Sequence, residues 1–323
     1  MSRGMAGVVI ALAVALACAG AASARPPDRN LPWPNLLPPL PVSTKVQPHA
    51  VPHCRRASLA CIDDLLSRLH TQWRALDAAC DHRALFALAY IEITQGLRDD
   101  LARAHPLYFH YPRWFIYVIT DFSNHYFQAF DDYAAGRPVP ESWRIAYDDD
   151  MHGDTNAGQD VLLASNAHTQ HDLPYIYAEM GMRTPSGASR KHDHDGVNYV
   201  NTAVFEHLEH EYADLYDPFF SWVNLGDPLD NYSTGEMVKA WREGAWRNAE
   251  RLMNARTSQD REQVDASIDA TANAWAHAIG DMRYPGYRSF RDAYCVQQHG
   301  GPKMPAQPLP FPLPSGRTDA PMR

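Results

Sequence analysis

Residues 62–76, IDDLLSRLHTQWRAL, carry apolar side chains at the spacing that places them on one face of an α-helix. The apolar positions on this face are Ile62, Leu65, Leu66, Leu69, Trp73 and Leu76. This spacing follows the helical period and not the strict alternation of a half-buried strand. We therefore expect this segment to form a helix that packs its apolar face against a core.

The same helical period continues along most of the chain. Helices are expected over about 82–104, 114–135, 157–172 and 193–216, with shorter ones after Pro140 and at Pro174–Met180. Pro174 is expected to begin a turn or a new helix. The sequence Ser233-Thr234-Gly235-Glu236 fits a capping box that opens a helix to about Ala255. A last helix is predicted by the helical spacing of the apolar residues Val264, Ile268, Ala272, Trp275 and Ile279. The pattern predicts an all-α, bundle-like domain of about eight to ten helices.

Proline marks the predicted borders of this domain. Residues 25–53 hold nine prolines and residues 301–323 hold seven, out of 25 in the chain. Such segments favour extended, loosely packed chain. We expect a proline-rich N-terminal arm at 25–53, one domain at 54–300 and a proline-rich tail at 301–323.

The first 24 residues have the three zones of a secretory signal peptide. Arg3 precedes the apolar run AGVVIALAVALA at residues 6–17, and Ala22-Ser23-Ala24 supplies a cleavage pattern. We expect an exported protein, periplasmic or extracellular, with residues 1–24 removed and no transmembrane segment in the mature chain. A lipoprotein anchored at Cys18 is the alternative.

Four cysteines remain after Cys18: Cys54, Cys61, Cys80 and Cys295. An even number in an exported chain favours two disulfides, and four cysteines allow three pairings. The short spacing favours Cys54–Cys61, which leaves Cys80–Cys295. Free buried thiols are the alternative.

Composition excludes several classes of function. The chain has 38 acidic and 29 basic residues and no basic run, which argues against binding to nucleic acid. It contains no phosphate-binding loop, no dinucleotide fingerprint and no nucleophile elbow. We therefore expect no nucleotide cofactor and no nucleic-acid partner, whereas a small-molecule substrate is compatible with the composition.

Ten of the 16 histidines lie between His105 and His210, together with many acidic residues. Within this region His168 and Asp172 are four residues apart, so a helix places them on one face. Such a pair can bind a metal together, or the carboxylate can orient the imidazole for acid–base chemistry. A polar helix end is the structural alternative.

Two further patterns add candidate residues. Residues 191–198, KHDHDGVN, place Asp193, His194 and Asn198 at the start of a helix, where an aspartate could equally be the N-cap. Asp121 and Asn124 lie on the aromatic helix at 114–135, where Asp121 is either on a wet edge or buried with a partner. The candidate site therefore comprises Asp121, Asn124, His168, Asp172, Asp193, His194 and Asn198.

Several of these segments together resemble a known family. The segments are CDHRALF (80–86), DFSNHYF (121–127), WRIA (143–146), NAHTQHDLP (166–174) and DHDGVN (193–198). In this order they resemble a bacterial family classed only as domain of unknown function number 5995, over roughly residues 54–295. The resemblance implies one shared pattern of polar residues and no particular activity. The family commonly has arginine where this chain has His125, which weakens His125 as a ligand.

A looser, fold-level analogy connects the chain with all-helical zinc phospholipase C and P1-type nucleases, which also carry a His-x-x-x-Asp pair on a helix. This chain lacks their ligand-like N-terminal tryptophan and their full ligand series. The analogy therefore bears on fold class alone.

Two hypotheses of function follow. In the first, the protein is a divalent-metal-dependent hydrolase of a phosphoester-type substrate, with zinc the favoured metal. His168, Asp172 and Asp121 are then the metal ligands, with Asp193 or His194. In the second, the protein is a non-enzymatic helical module in which the same residues form a buried polar network.

Overall fold

The computed structural model describes residues 31, 33–38, 48–211, 216–220 and 229–299. The predicted signal peptide, Cys18 and the C-terminal tail lie outside these residues. The chain divides into the units Met1–Pro32 and Trp33–Arg323, and every described helix belongs to the second.

Within the described residues the chain forms ten continuous helices and no strand, which confirms the predicted all-α class. In chain order they are α1 (Trp33–Leu36), α2 (Leu59–Ala78), α3 (Ala84–Leu101), α4 (Pro112–Ala134), α5 (Glu141–His152), α6 (Ala157–Asn166 with Ala167–Asp172 and Leu173–Met180), α7 (Lys191–Glu211), α8 (Leu229–Asn254), α9 (Ser258–Gly280) and α10 (Tyr287–His299). None of these helices is both long and apolar enough to cross a bilayer.

The core follows the periodicity of the sequence. Each of the apolar residues predicted for the buried face of α2 is buried. Helices α3, α4 and α6 contribute most of the remaining core, including the fully buried side chains Leu85, Leu88, Ile91 and Leu163. These three helices also surround the candidate site described below.

Helix α6 continues through Pro174, where the sequence predicted a turn or a new helix to Met180. Residues Ala167–Asp172 form a π-helical turn, and Leu173–Met180 resumes the α-helix with the proline in its first turn. Proline has no N–H to donate and its ring collides with the carbonyl four residues earlier in a regular helix. The wider turn before Pro174 relieves this conflict and keeps the helix continuous.

The predicted capping box at Ser233–Glu236 is wrong. Helix α8 begins at Leu229, so these four residues lie inside it. Glu236 instead accepts hydrogen bonds from the Lys239 ammonium at 2.9 Å and from the Trp33 indole at 3.1 Å. Capping boxes begin α6, at Asn156 with Gln159, and α9, at Thr257 with Asp260.

Trp33, which donates this hydrogen bond to Glu236, lies in the predicted N-terminal arm. Residues Trp33–Leu36 form the short helix α1 and contact α8, whereas the prolines predicted extended chain. Arg247 on α8 also donates to the carbonyl oxygen of Pro38. This part of the arm therefore rests on the helical domain, while the predicted domain boundaries at 54 and 300 stay a prediction.

The four cysteines form the two predicted pairs, Cys54–Cys61 and Cys80–Cys295. The sequence separation between the paired cysteines is 7 residues for the first disulfide and 215 residues for the second. The second bond ties α10 to the segment between α2 and α3. Two disulfides and the absence of a membrane-spanning helix among the described residues are compatible with export.

The two disulfides should differ in their contribution to stability. In the chain-entropy model, removal of Cys80–Cys295 costs about 5 kcal/mol and removal of Cys54–Cys61 about 2.5 kcal/mol, because the longer loop restricts the unfolded chain more. Urea unfolding of the paired Cys→Ala variants under non-reducing conditions measures both values. The opposite order of stabilities would contradict the expectation.

Candidate functional site

His168 and Asp172, which the sequence placed on one helix face, are hydrogen bonded in the π-helical turn of α6. His168 Nδ1 lies 2.9 Å from Asp172 Oδ2, and both side chains are buried. The other ring nitrogen, Nε2, lies 3.1 Å from the hydroxyl oxygen of Tyr90 on α3. Both nitrogens of His168 therefore have a partner within the protein.

Asp172 is the hydrogen-bond acceptor at the centre of this cluster. Besides His168 it accepts from Trp143 Nε1 on α5 at 3.0 Å and from His171 Nδ1 at 2.7 Å. Burial favours the neutral acid, but the hydrogen bonds from His168 and His171 outweigh it and hold the pKa of Asp172 below its ordinary value. Asp172 is therefore a buried carboxylate with its oxygens fully engaged.

The pKa values of the two histidines that contact Asp172 shift in opposite directions. Burial lowers the pKa of His168, although Asp172 opposes the shift, so His168 is neutral near pH 7. For His171, burial is outweighed by the hydrogen bond and charge of Asp172, which raise its pKa. His171 therefore keeps its proton to a higher pH than a free histidine, and His168 keeps a neutral ring oriented by Asp172.

The contact between His168 and Tyr90 extends into a chain of hydrogen bonds. Tyr90 Oη lies 2.9 Å from Ser123 Oγ, and Ser123 Oγ lies 2.7 Å from the carbonyl oxygen of Ile119. Together with the Asp172–His168 and His168–Tyr90 contacts, the chain contains four hydrogen-bond contacts. Neutral His168, Tyr90 and Ser123 supply only three hydrogens for these four contacts. A fourth hydrogen is present only when His168 is protonated. With His168 neutral, one of the four contacts is therefore without a hydrogen.

His168 also forms part of the wall of a cavity. The cavity lies between α3, α4, α6, α7 and α8 and has a volume of about 70 Å³. Its wall is mainly apolar and aromatic, and the His168 ring stacks on Phe122 with ring centroids 3.4 Å apart. Polar side chains on the wall include Ser165, His168, Thr169, Asn201 and Arg242.

His194 and Asn198, two further predicted site residues, hold Arg242 at this cavity. Arg242 Nε donates to Asn198 Oδ1 at 2.8 Å, and Nη2 donates to the carbonyl oxygen of His194 at 2.7 Å. The His194 ring lies 2.8 Å from the Tyr177 hydroxyl through Nδ1. Burial, reinforced by the charge of Arg242, lowers the pKa of His194 well below its ordinary value. His194 is therefore a neutral ring.

Asp193 has a structural contact that accounts for its position. Its two carboxylate oxygens accept from the backbone N–H groups of His110 at 2.8 Å and Tyr111 at 2.7 Å. Tyr111 immediately precedes α4, so Asp193 fixes the start of that helix from α7. Gly196 lets α7 approach the same loop, since a Cβ there would lie 2.6 Å from the carbonyl oxygen of Tyr108.

Asp121 and Asn124 do not join the His168–Asp172 pair. Asn124 Nδ2 donates to the carbonyl oxygen of Pro52 at 3.0 Å, and its Oδ1 accepts from Arg68 at 3.3 Å. Asp121 is buried, and burial raises its pKa against the opposing charge of His125. The predicted site residues are thus distributed over several places in the bundle.

Two groups of three side chains in the described part of the chain have ligand atoms within 4.8 Å of one another: His110, His192 and Asp193, and His194, Asp195 and Glu243. The combination His168, Asp172 and Asp121 is not such a group. In the second group, the Lys191 ammonium contacts both Asp195 and Glu243, at 2.8 Å from the latter, so a cation already bridges the two carboxylates.

In the first group, the rings of His110 and His192 are stacked with centroids 3.7 Å apart and an interplanar angle of 6°. The Asp193 carboxylate oxygen lies 3.6 Å from His192 Nδ1. Two parallel imidazoles and a carboxylate are ligand types that suit zinc. Of the seven candidate site residues, Asp193 is therefore the one that lies beside the stacked rings of His110 and His192.

The buried charged residues that the predicted site did not include are numerous, and Arg242 and Glu92 are two of them. Arg242 lies on α8. Glu92 on α3 is fully buried, neither of its carboxyl oxygens has a hydrogen-bond partner in the described structure, and burial raises its pKa to about 8. His207 Nε2 lies 3.9 Å from Glu92 Oε2. Both residues interrupt otherwise apolar helix faces, which is the signal that could have identified them.

The buried acid Glu92 should make stability depend on pH. In the unfolded chain Glu92 ionises near its ordinary pKa, whereas in the fold its pKa is about 8, so stability falls as pH rises between these values. Glu92→Gln keeps the shape without the charge. We expect the variant to match the native protein within about 1 kcal/mol at about pH 5 and to be more stable by roughly 2–4 kcal/mol at about pH 7.5.

Urea unfolding at the two pH values measures the difference, and Glu262→Gln, an exposed glutamate on α9, is the matched control. If native and Glu92→Gln proteins show the same pH dependence, Glu92 is ionised in the folded protein and the expectation is wrong.

The comparisons with known proteins agree with the resemblance seen in the sequence. The model of the Family of unknown function (DUF5995) matches residues 62–282. No curated protein and no solved structure matches the chain, and the analogy to zinc phospholipase C and P1-type nucleases is not confirmed. The matched range includes α3 to α8 with the whole cavity wall and covers more than half of the chain. The chain therefore belongs to the Family of unknown function (DUF5995).

Proposed function

We propose that the protein binds a small, mainly apolar organic molecule in the cavity between α3, α4, α6, α7 and α8, in contact with His168. The observation that carries this proposal is the position of His168 on the wall of an otherwise apolar and aromatic cavity. An apolar cavity with a few convergent polar groups is the usual form of a small-molecule site.

The hydrogen bonds of the wall support a ligand with a polar group. Asn201 Oδ1 is buried at the cavity and has no hydrogen-bond partner among the described residues. A buried acceptor without a partner costs about 1–3 kcal/mol, which a ligand donor would recover. A ligand hydroxyl that reached His168 Nε2 in place of Tyr90 would find a neutral imidazole whose other nitrogen is fixed by Asp172. Such a ring can accept a proton, so the same site supports acid–base chemistry.

The hypothesis of a structural polar network is supported by the complete hydrogen bonding of Asp172. The cavity beside His168 favours the ligand-binding proposal over a purely structural role, because a side chain that serves only packing needs no adjacent space. A metal shared by His168 and Asp172 is less well supported, since it would have to replace the existing hydrogen bond between His168 Nδ1 and Asp172 Oδ2.

A metal-dependent hydrolase remains the second candidate, and the group His110, His192 and Asp193 favours it. These side chains would hold a zinc ion, which supplies an activated water when bound. Both oxygens of Asp193 already accept backbone hydrogen bonds, and each keeps a further lone pair for a metal. The test is zinc analysis of purified protein with and without His192→Ala. Absence of stoichiometric zinc from the native protein would eliminate this candidate.

The binding proposal predicts that a small apolar probe stabilises the protein through the cavity. Hexan-1-ol should bind with a Kd roughly between 10 μM and 10 mM, given its size, and should raise Tm. Ala89→Leu, which adds three carbons to the cavity wall, should abolish the shift. Ala75→Leu, the same change at an exposed position of α2, should retain it.

Differential scanning calorimetry and titration calorimetry measure the two effects. An equal response of the native, Ala75→Leu and Ala89→Leu proteins would locate the binding elsewhere, and no response of the native protein would refute the proposal.

A further inference from the structure

Arg242 is a buried cation on the cavity wall without a carboxylate partner. Its exposed fraction is 4 %, and it forms no ion pair within 4.0 Å in the described part of the chain. Its hydrogen bonds go to the neutral acceptors Asn198 Oδ1 and the carbonyl oxygen of His194, and its Nη2 also lies 3.4 Å from His194 Nδ1. A buried charge is costly unless it is paired, so the guanidinium lacks the counter-charge that this position favours.

The carboxylates nearest to Arg242 along α7 and α8 already form ion pairs with other basic side chains. Asp195 and Glu243 both contact the Lys191 ammonium, and Glu243 also accepts from Arg247 Nε at 2.8 Å. The carbonyl of His194 belongs to the first turn of α7, where the helix dipole is positive. Arg242 is therefore the cation on this part of the cavity wall that has no carboxylate within 4.0 Å among the described residues.

The other two buried arginines are compensated in different ways. Arg291 lies 2.7 Å from Asp160 Oδ2 and 3.5 Å from Asp217 Oδ2. Arg190 donates to the carbonyl oxygens of Met180 and Gly181, at the negative end of α6. Among these three residues, Arg242 is the one that lies on the cavity wall and has no carboxylate within 4.0 Å among the described residues.

We propose that the ligand of the cavity is a monocarboxylic acid with a short apolar body, whose carboxylate pairs with Arg242. This inference rests on the proposed function and specifies its ligand class. The guanidinium is suited to a carboxylate because it presents planar N–H donors. The space in the cavity holds roughly five to seven non-hydrogen atoms, which fits the hydrocarbon chain of hexanoate.

The experiment compares hexanoate with hexan-1-ol by titration calorimetry at about pH 7.5. The two probes share one hydrocarbon chain and differ in charge. The native protein should bind hexanoate about tenfold or more tightly than the alcohol, as expected of a charge-assisted hydrogen bond. Arg242→Gln should lose this preference, and Arg190→Gln, a buried arginine away from the cavity, should keep it.

A second variant leaves the arginine in place. Asn198→Asp puts a carboxylate at the atom that now contacts Arg242 Nε at 2.8 Å, so it supplies the missing counter-charge from within the protein. It should weaken hexanoate about tenfold and change hexan-1-ol by less than about twofold. This variant keeps the inference testable if Arg242→Gln fails to fold.

The outcomes separate the two proposals. If native protein binds hexan-1-ol as tightly as hexanoate, or if Asn198→Asp weakens both probes equally, the carboxylate inference is wrong and the binding proposal stands. If neither probe binds, the proposed function itself fails.

Discussion

The buried carboxylate of Asp172 is the interaction on which the arrangement of the site depends. A charge in a protein interior is tolerated only where hydrogen-bond donors replace water. Here the donors come from Trp143 on α5 and from His168 and His171 in the same turn of α6. Because they must converge on one carboxylate, α5 is held against α6 and the His168 ring is fixed beside the cavity. The hydrogen bond to Tyr90 extends the same constraint to α3.

The π-helical turn makes this convergence possible. Pro174 cannot continue a regular helix, and the turn Ala167–Asp172 absorbs the conflict by widening the backbone. The same six residues contain His168, His171 and Asp172, so the irregular backbone and the polar cluster coincide. Turns of this kind are frequent at functional sites, which agrees with a ligand-binding role for the cavity. The aromatic wall formed by Phe122 and its neighbours surrounds His168 with apolar surface and keeps its ring neutral.

The parts of the structure that sequence could predict are those with a local cause. Helical periodicity identified the buried face of α2, spacing paired His168 with Asp172, and cysteine arithmetic gave Cys80–Cys295. The contacts of Asp193 with a loop 82 residues away, and of Arg242 with α7, depend on tertiary packing and have no local signature. For the same reason the seven predicted site residues were expected in one place, whereas the fold distributes them. The sequence predicted a turn or a new helix at Pro174, but no local propensity indicated the π-helical turn that joins this segment to the preceding helix.

His168 is a neutral, internally hydrogen-bonded ring on the cavity wall, and we propose that this cavity binds an organic ligand. The most direct test is the pair of imidazole ¹⁵N chemical shifts of His168, assigned with His168→Gln, in the free protein at neutral pH and after addition of zinc or of an apolar ligand. The account predicts a neutral ring protonated at Nδ1, insensitive to equimolar zinc and shifted by the ligand. A shift of a ring nitrogen on addition of zinc, with no response to the ligand, would contradict it.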